Sequence, residues 1–191
     1  MLRYEVLEHT ADLMIRAYGS TLEECYANMC YGMFDQTVAL DGVQSLHRFR
    51  VEVDGVDDED ALYSLLSELL YLECTEGMVL CEFSVTIDGT HISCDAKGEA
   101  LDWDRMEVRG EIKAVTFHDM EIDAGKPEVT VLFDVRSPHA PMCWQGSIHR
   151  RRNKGAVDGV LHLVFPRIVH MEGSMMSTAL QSVYGIRGTG T

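Results

Sequence analysis

Alternation of apolar and polar positions predicts several strands in the first 135 residues. Phe49, Val51 and Val53 alternate with charged residues, which is typical of a half-buried strand. Asp88 and Gly89 separate two apolar stretches and predict a hairpin, because this dipeptide favours a tight turn. Further strands are predicted over residues 4–7, 13–18, 106–120 and 129–135.

Two helices are predicted between these strands. Thr21 and Glu24 have the spacing of a capping box at a helix start. An apolar stripe at helical spacing follows, made by Leu22, Cys25, Met29 and Met33. A second helix, from Ala61 to about Cys74, is rich in leucine and should pack on a sheet. The acidic run 57–60 before it complements the helix dipole and needs no ligand to explain it.

This order of elements predicts an α+β fold. Two helices pack on a mainly antiparallel sheet, and residues 1–135 form a single compact domain. The composition then changes. Residues 136–191 form a basic extension that contains glycine, serine and half of the eight histidines, and only Val160–Val169 looks strand-like. Pro166 interrupts that stretch, so we expect the extension to be poorly ordered or weakly packed.

Charge is divided unevenly between these two parts. Residues 1–135 contain 9 Lys and Arg against 29 Asp and Glu, and residues 136–191 contain 7 against 2, which gives the net charge of −15. An acidic domain repels the phosphates of nucleic acids, so direct RNA binding is disfavoured. Solubility, cation binding and docking on a basic partner all remain compatible with the acidic excess.

Cysteine usage and hydropathy predict a cytoplasmic protein. None of the six cysteines forms a C-x-x-C pair, and each lies among apolar or strand-like neighbours, as reduced core cysteines do. The N-terminus lacks the long apolar segment of a signal peptide. No apolar run approaches 18 residues, so no membrane span is expected.

Three polar positions in apolar surroundings are candidates for chemistry. His9 and Asp12 lie between two strands, where they bind a cation or simply form a turn. Lys113 is a lone base in an acidic domain, and it either has a function or faces water. Asp134 lies in a nearly all-apolar strand, where a buried carboxylate requires a partner or a metal. Asp12 and Asp134 together offer the hard oxygen ligands that suit Ca²⁺ or Mg²⁺.

These segments, in this order, resemble the archease family. The matching stretches are Tyr4–Asp12, Ala17–Glu24, Met33-Phe34, Glu111–Ile122 and Val131–Val135. The resemblance implies a small α+β protein that activates the RtcB-type RNA ligase of tRNA splicing. It further implies promotion of ligase guanylylation, support of multiple turnover and a broadened use of nucleotides. The family member does not join RNA itself, so no enzyme activity is expected, and RNA is contacted only through the ligase.

The resemblance also carries residue roles. It implies a metal site at Asp12 and Asp134, completed by the main chain of Val135, with Ca²⁺ or another hard divalent cation such as Mg²⁺ as its ion. Lys113 matches the family lysine of activation. His9 and His118 belong to the same matching segments, and we expect them on the activation surface towards the ligase.

One departure from the family pattern affects these expectations. Family members usually end at the position of Val135, whereas 56 further residues follow here. If the family site uses a terminal carboxylate, this chain offers only a carbonyl, which lowers the ligand charge. The extension is also placed where it can obstruct docking on the ligase.

Two alternatives stay open beside the activator hypothesis. A metal-dependent hydrolase would require His9, Asp12, His118 and Asp134 to converge around an open metal position in a cleft. A general chaperone or modulator of RNA-modifying enzymes would require an exposed apolar groove.

Overall fold

The structure is a computed structural model that describes residues 2–9 and 12–136 and two short strands in the extension. The helices are α1 (Leu22–Thr37) and α2 (Asp58–Glu76). The strands are β1 (Tyr4–Leu7), β2 (Leu13–Tyr18), β3 (His47–Asp54), β4 (Met78–Asp88), β5 (His91–Ala100), β6 (Ile112–Val115), β7 (Glu121–Asp123), β8 (Glu128–Val135), β9 (Leu163–Val164) and β10 (Ile168–His170).

The strands form two sheets. The first has the order β1-β2-β8-β6, with β7 also paired to β8, and the second has the order β4-β5-β3-β10-β9. Every described pairing is antiparallel. The predicted α+β class is therefore confirmed. The expectation of one sheet is wrong, because alternation identifies strands but does not determine which of them pair.

The helices bury one face of each sheet. α1 packs on β2 and β4, and α2 packs on β3, β5 and β6. Ile15 and Ala17 of β2 belong to this core, as do Val129, Val131 and Phe133 of β8. Side chains alternate between the faces of a strand, so the residues between these core positions project from the opposite face of the first sheet.

Both helices begin at a capping side chain, Thr21 for α1 as predicted and Asp57 for α2. The Glu24 backbone N–H donates to Thr21 Oγ1 over 3.2 Å, while the Glu24 carboxylate accepts from the Ser20 N–H over 2.6 Å. α2 starts before the predicted Ala61, because Asp57 Oδ1 accepts from the Asp60 N–H over 2.8 Å. The acidic run thus serves as cap and first turn.

The long strand predicted over residues 106–120 is wrong in its extent. Only Ile112–Val115 forms β6 on this sheet edge, and β7 resumes the pairing with β8 at Glu121. The preceding residues cross the end of α1 instead, where the Arg109 N–H donates to the Thr37 carbonyl over 2.8 Å. This crossing satisfies carbonyls at the helix end that have no partner within the helix.

The described part of the extension adds two strands to the second sheet. β10 pairs with β3, with Val169 facing Val51, and β9 pairs with β10. The predicted strand-like stretch therefore contains β9 and the first two residues of β10. The remaining residues from 137 to 191 lie outside the described part of the chain, and their predicted poor order stays a prediction.

The five cysteines within the described residues carry free thiols. They are Cys25, Cys30, Cys74, Cys81 and Cys94, while Cys143 lies outside the described residues. Among the helices of the described chain, none is both long and apolar enough to cross a membrane.

Candidate functional site at the end of the first sheet

The pairing of β2 with β8 brings the two candidate aspartates to the same place. Leu13 faces Phe133 in the antiparallel register, and continuing it by one residue places Asp12 opposite Asp134. Phe133 is fully buried in the core. Since its neighbour in the strand points the other way, Asp134 and the facing Asp12 lie on the outer face of the sheet.

Lys113 joins this pair from β6. Its Nζ lies 3.2 Å from Asp134 Oδ1 and 3.4 Å from Oδ2. The register of β6 shifts between Ile112 and Ala114, and Ala114 takes the position opposite Asp134. Lys113 is thus the additional residue of a β-bulge, an irregularity that redirects a side chain. The bulge allows its ammonium to reach the carboxylate of the neighbouring strand.

The expectation that Asp134 is a buried carboxylate is wrong. Its side chain is 46% exposed, and that of Lys113 is 40% exposed. Leu132, on the same face of β8, is buried. The outer face of β8 is therefore covered at Leu132 but open to solvent at Asp134, so the Asp134 carboxylate is accessible at the end of the sheet.

The main chain of Val135 also faces this site. The Arg136 N–H donates to the Glu111 carbonyl over 2.9 Å, across the β6–β8 boundary. The Val135 carbonyl belongs to the same trans peptide and points in the opposite direction. It therefore points away from β6 and towards the β2 side, on which Asp12 lies.

The two histidines occupy different surroundings. His9 Nδ1 lies 3.7 Å from Asp12 Oδ2, so this histidine is at the site. His118 lies in the turn between β6 and β7, where its Nε2 is 3.3 Å from Asp119 Oδ2 and its side chain is 75% exposed. No contact described for His118 joins it to Asp12 or Asp134.

The oxygen donors at this end fit a hard cation in their chemistry. Two carboxylates and one carbonyl are the ligand types that Ca²⁺ and Mg²⁺ prefer. The Lys113 ammonium, held between both oxygens of Asp134, already places a positive charge on this donor set. In the part of the chain that the structure describes, no group of three or more His, Cys, Asp or Glu side chains could hold a metal ion. A site here therefore depends on the carbonyl and on water to complete its coordination.

A buried polar cluster lies beneath the site and was missed by sequence reasoning. Glu111 is buried, and its Oε1 lies 3.1 Å from Nε of Arg136, the residue after β8. Glu73 of α2 is buried as well, and its Oε1 lies 2.5 Å from the hydroxyl of Thr37. Burial raises the pKa of Glu73 to about 8, the hydrogen bond to Thr37 opposes this shift, and the Glu111 carboxylate adds to it.

One sequence signal could have located part of this cluster. Glu73 follows Leu69 by four residues, which places it on the leucine-rich face of α2. A carboxylate on an apolar helix face is costly unless it is protonated or paired. The partners came from distant segments, so the sequence did not identify them.

A shallow hollow occupies the other end of the β2–β8 pair and contains none of the candidate residues. It is lined by Leu2, Tyr18, Gly19, Lys126, Pro127 and Glu128. Tyr18 faces Glu128 at this end of the ladder, whereas Leu13 faces Phe133 at the other. The charged site lies at the opposite end of this strand pair from the hollow.

Comparison with known proteins matches the part of the chain that contains this site to one protein family. The model of the Archease protein family (MTH1598/TM1083) matches residues 4–135. A protein archease of Thermococcus gammatolerans is 42% identical over 127 residues, covering 64% of this chain and 89% of the relative. A protein archease-like of Drosophila melanogaster is 33% identical over 142 residues, covering 70% and 91%. The solution structure of Methanobacterium thermoautotrophicum protein 1598 superposes with a TM-score of 0.61 at 34% identity, covering 69% of this chain and 98% of that one.

Proposed function

Because the chain belongs to the Archease protein family, we propose that it is a non-catalytic activator of an RtcB-type RNA ligase in tRNA splicing. It promotes guanylylation of the ligase, supports multiple turnover and broadens the nucleotides that the ligase uses. Its partner is the ligase, and RNA is met only through that partner. We place this activity in the cytoplasm, in keeping with the free thiols of the described cysteines.

The observation that carries this proposal is the Lys113–Asp134 ion pair beside Asp12. Both partners are about half exposed, so another macromolecule can reach them without unfolding the domain. The ammonium is a mobile point charge on a long flexible stem. On docking, it can leave Asp134 and contact a phosphate of the nucleotide bound by the ligase.

The proposal includes a Ca²⁺ or similar hard cation held by Asp12, Asp134 and the Val135 carbonyl. When bound, the ion supplies a fixed positive charge beside the lysine. Asp134 then has two roles in this chain, because it holds Lys113 in the free protein and offers an oxygen ligand once the lysine has moved. His9, at 3.7 Å from Asp12, orients that carboxylate from the other side.

Charge complementarity supports a protein partner. Residues 1–135 carry 20 more acidic than basic residues, while a ligase that binds RNA must present a basic surface. Association is therefore steered by opposite charge, and raising the salt concentration should weaken it. The same acidic surface disfavours stable binding of this chain to RNA.

The hydrolase alternative receives less support from the described geometry. It requires His118 to converge with Asp12 and Asp134, and no described contact brings it there. The chaperone alternative has no specific observation in its favour among the described residues.

The direct test is guanylylation of the purified ligase with radiolabelled GTP, with and without this protein. We expect stimulation by the full chain, and its loss in Asp12→Ala and Lys113→Ala. Lys97→Ala is the matched control, because Lys97 pairs with Glu82 at 2.7 Å on the second sheet and has a similar exposure, 47% against 40% for Lys113. Unchanged stimulation by both site variants would refute the proposed roles of these residues. Absence of stimulation by the unaltered chain would refute the activator function.

A further inference from the structure

A partly exposed aromatic stack joins α2 to the connection that follows β6. The rings of Tyr63 in α2 and Phe117 in the β6–β7 connection are nearly parallel, at 15°, with centroids 4.1 Å apart. The Phe117 side chain is 50% exposed. Half of the Phe117 surface therefore stays in water, where a partner can cover it.

The turn that carries Phe117 is fixed by hydrogen bonds on both sides. The Thr116 N–H and hydroxyl both donate to the Leu132 carbonyl, over 3.1 and 3.0 Å. The Met120 N–H donates to the Phe117 carbonyl over 3.4 Å, and the Met120 side chain is buried. The ring is thus presented by an ordered segment, which reduces the entropy cost of binding through it.

This turn continues directly from the activation lysine. Lys113 reaches Asp134, and Thr116 is bonded to Leu132, so the segment runs antiparallel along β8 from the charged site to the stack. Phe117 lies four positions after Lys113 in the chain, a span of about 13 Å in an extended strand. Lys113 pairs with Asp134 on the outer face of the sheet, whereas Phe117 stacks on α2, which covers the inner face. The two features therefore lie on either side of the edge strand β6.

The surroundings of the stack are acidic. Glu59 is exposed one helical turn before Tyr63, next to Asp58 at the start of α2. Asp119 follows Phe117 in the same turn. An aromatic pair with acidic residues nearby in both of the segments that carry it is complementary to an arginine, whose guanidinium stacks on a ring and pairs with a carboxylate. The acidic rim disfavours a nucleic acid and a second copy of this acidic chain alike.

We propose that the Tyr63–Phe117 stack is the docking anchor for an arginine-bearing basic surface of the RNA ligase. The inference rests on the proposed function and adds the surface by which the partner is held. Binding is assigned to the stack and its acidic rim, and stimulation is assigned to Lys113 and the aspartates. The two surfaces are therefore separable by mutation.

The test compares binding with stimulation for the full chain and the purified ligase. Phe117→Ala should raise the dissociation constant, and the concentration for half-maximal guanylylation, by about 10-fold. At saturating protein its stimulation should equal that of the unaltered chain. Lys113→Ala should show the opposite, with near-normal binding and no stimulation. Glu59→Lys should weaken binding and flatten its dependence on salt.

Matched variants separate docking from folding. Phe117→Tyr keeps the stack and should bind normally, and Trp103→Ala removes another exposed aromatic side chain, in the turn after β5, without effect. Circular dichroism verifies that Phe117→Ala is folded.

Each contrary outcome points to a different failure. Normal binding by both Phe117→Ala and Glu59→Lys, with an active unaltered chain, would overturn the docking anchor and leave the proposed function standing. An unaltered chain that neither binds nor stimulates the ligase would overturn both. Single-stranded RNA binding that is lost in Phe117→Ala would also overturn it, because the stack would then serve a base.

Discussion

Lys113 Nζ lies between the two carboxylate oxygens of Asp134, 3.2 Å from one and 3.4 Å from the other, although the two residues are 21 positions apart in the chain. The contact crosses the β6–β8 boundary at a bulge. Both side chains remain accessible, so this pair can open at little cost when a partner or a cation arrives.

Loss of the lysine should separate activity from stability. Lys113→Ala removes an exposed ion pair, whose contribution to the free energy of unfolding is about 0–1 kcal/mol. We expect urea denaturation to show a change of that size, while stimulation of ligase guanylylation disappears. Lys97→Ala should change stability equally and leave stimulation intact. A large loss of stability in Lys113→Ala alone would show that the lysine is structural.

Calcium should compete with the lysine for Asp134. Isothermal titration of the unaltered chain with Ca²⁺ should show binding that Asp12→Asn and Asp134→Asn weaken. In Lys113→Ala, binding should become tighter by roughly fivefold, because the ion no longer displaces an ammonium worth about 1 kcal/mol. Asp88→Asn, in the exposed β4–β5 turn, is the control and should leave binding unchanged. Equal affinity in all variants would place any calcium elsewhere.

Glu73 should make stability fall as the pH rises. Its folded-state pKa of about 8 lies above the ordinary value of 4.5, so the folded chain binds the proton more tightly than the unfolded chain does. This contribution is complete below the unfolded pKa and is lost as the pH rises through the folded pKa. As the pH is raised from 5 to 8.5, the free energy of unfolding measured with urea should fall less for Glu73→Gln than for the unaltered chain.

The contacts of Thr37 agree with a raised pKa of Glu73. The Thr37 hydroxyl has one proton for two acceptors, the Phe34 carbonyl at 2.9 Å and Glu73 Oε1 at 2.5 Å. This shared donor offsets the effect of burial only in part, so the pKa of Glu73 stays raised. The control is Glu82→Gln, because hydrogen bonding to Lys97 lowers the pKa of Glu82 and leaves it ionised throughout the same range. Parallel pH profiles for Glu73→Gln and the unaltered chain would contradict the prediction.

Arg136 should contribute to the free energy of unfolding of the domain, although the family match ends at residue 135. Arg136→Ala removes the guanidinium from Glu111, whose side chain is only 4% exposed. We expect a loss of about 1–3 kcal/mol in the free energy of unfolding, since a buried carboxylate loses its charged partner. Arg136→Lys should recover part of it.

The control for this prediction is Arg48→Ala. Arg48 pairs with Asp95 at 3.0 Å on the exposed face of the second sheet, where an ion pair contributes little. The melting temperature of Arg136→Ala should therefore be well below that of Arg48→Ala. Equal melting temperatures would mean that the pair at Glu111 is no stronger than a surface contact.

Local chemistry determined much of this protein. The cap at Thr21, the acidic first turn of α2, the hairpin at Asp88-Gly89 and the α+β class follow from interactions within a few residues, which a sequence pattern records directly. The motif segments likewise gave the family before any fold was known. Their metal and activation roles stay predictions until calcium binding and ligase stimulation are measured.

The tertiary structure decided which distant segments meet. The division into two sheets, the shortening of the predicted strand to Ile112–Val115 and the exposure of Asp134 depend on pairing and covering by remote elements. So do the bulge that turns Lys113 towards Asp134, the Glu111–Arg136 pair and the Tyr63–Phe117 stack. Alternation along one strand gives the face of each side chain, but a neighbouring strand or helix determines whether that face is covered, charged or free to bind.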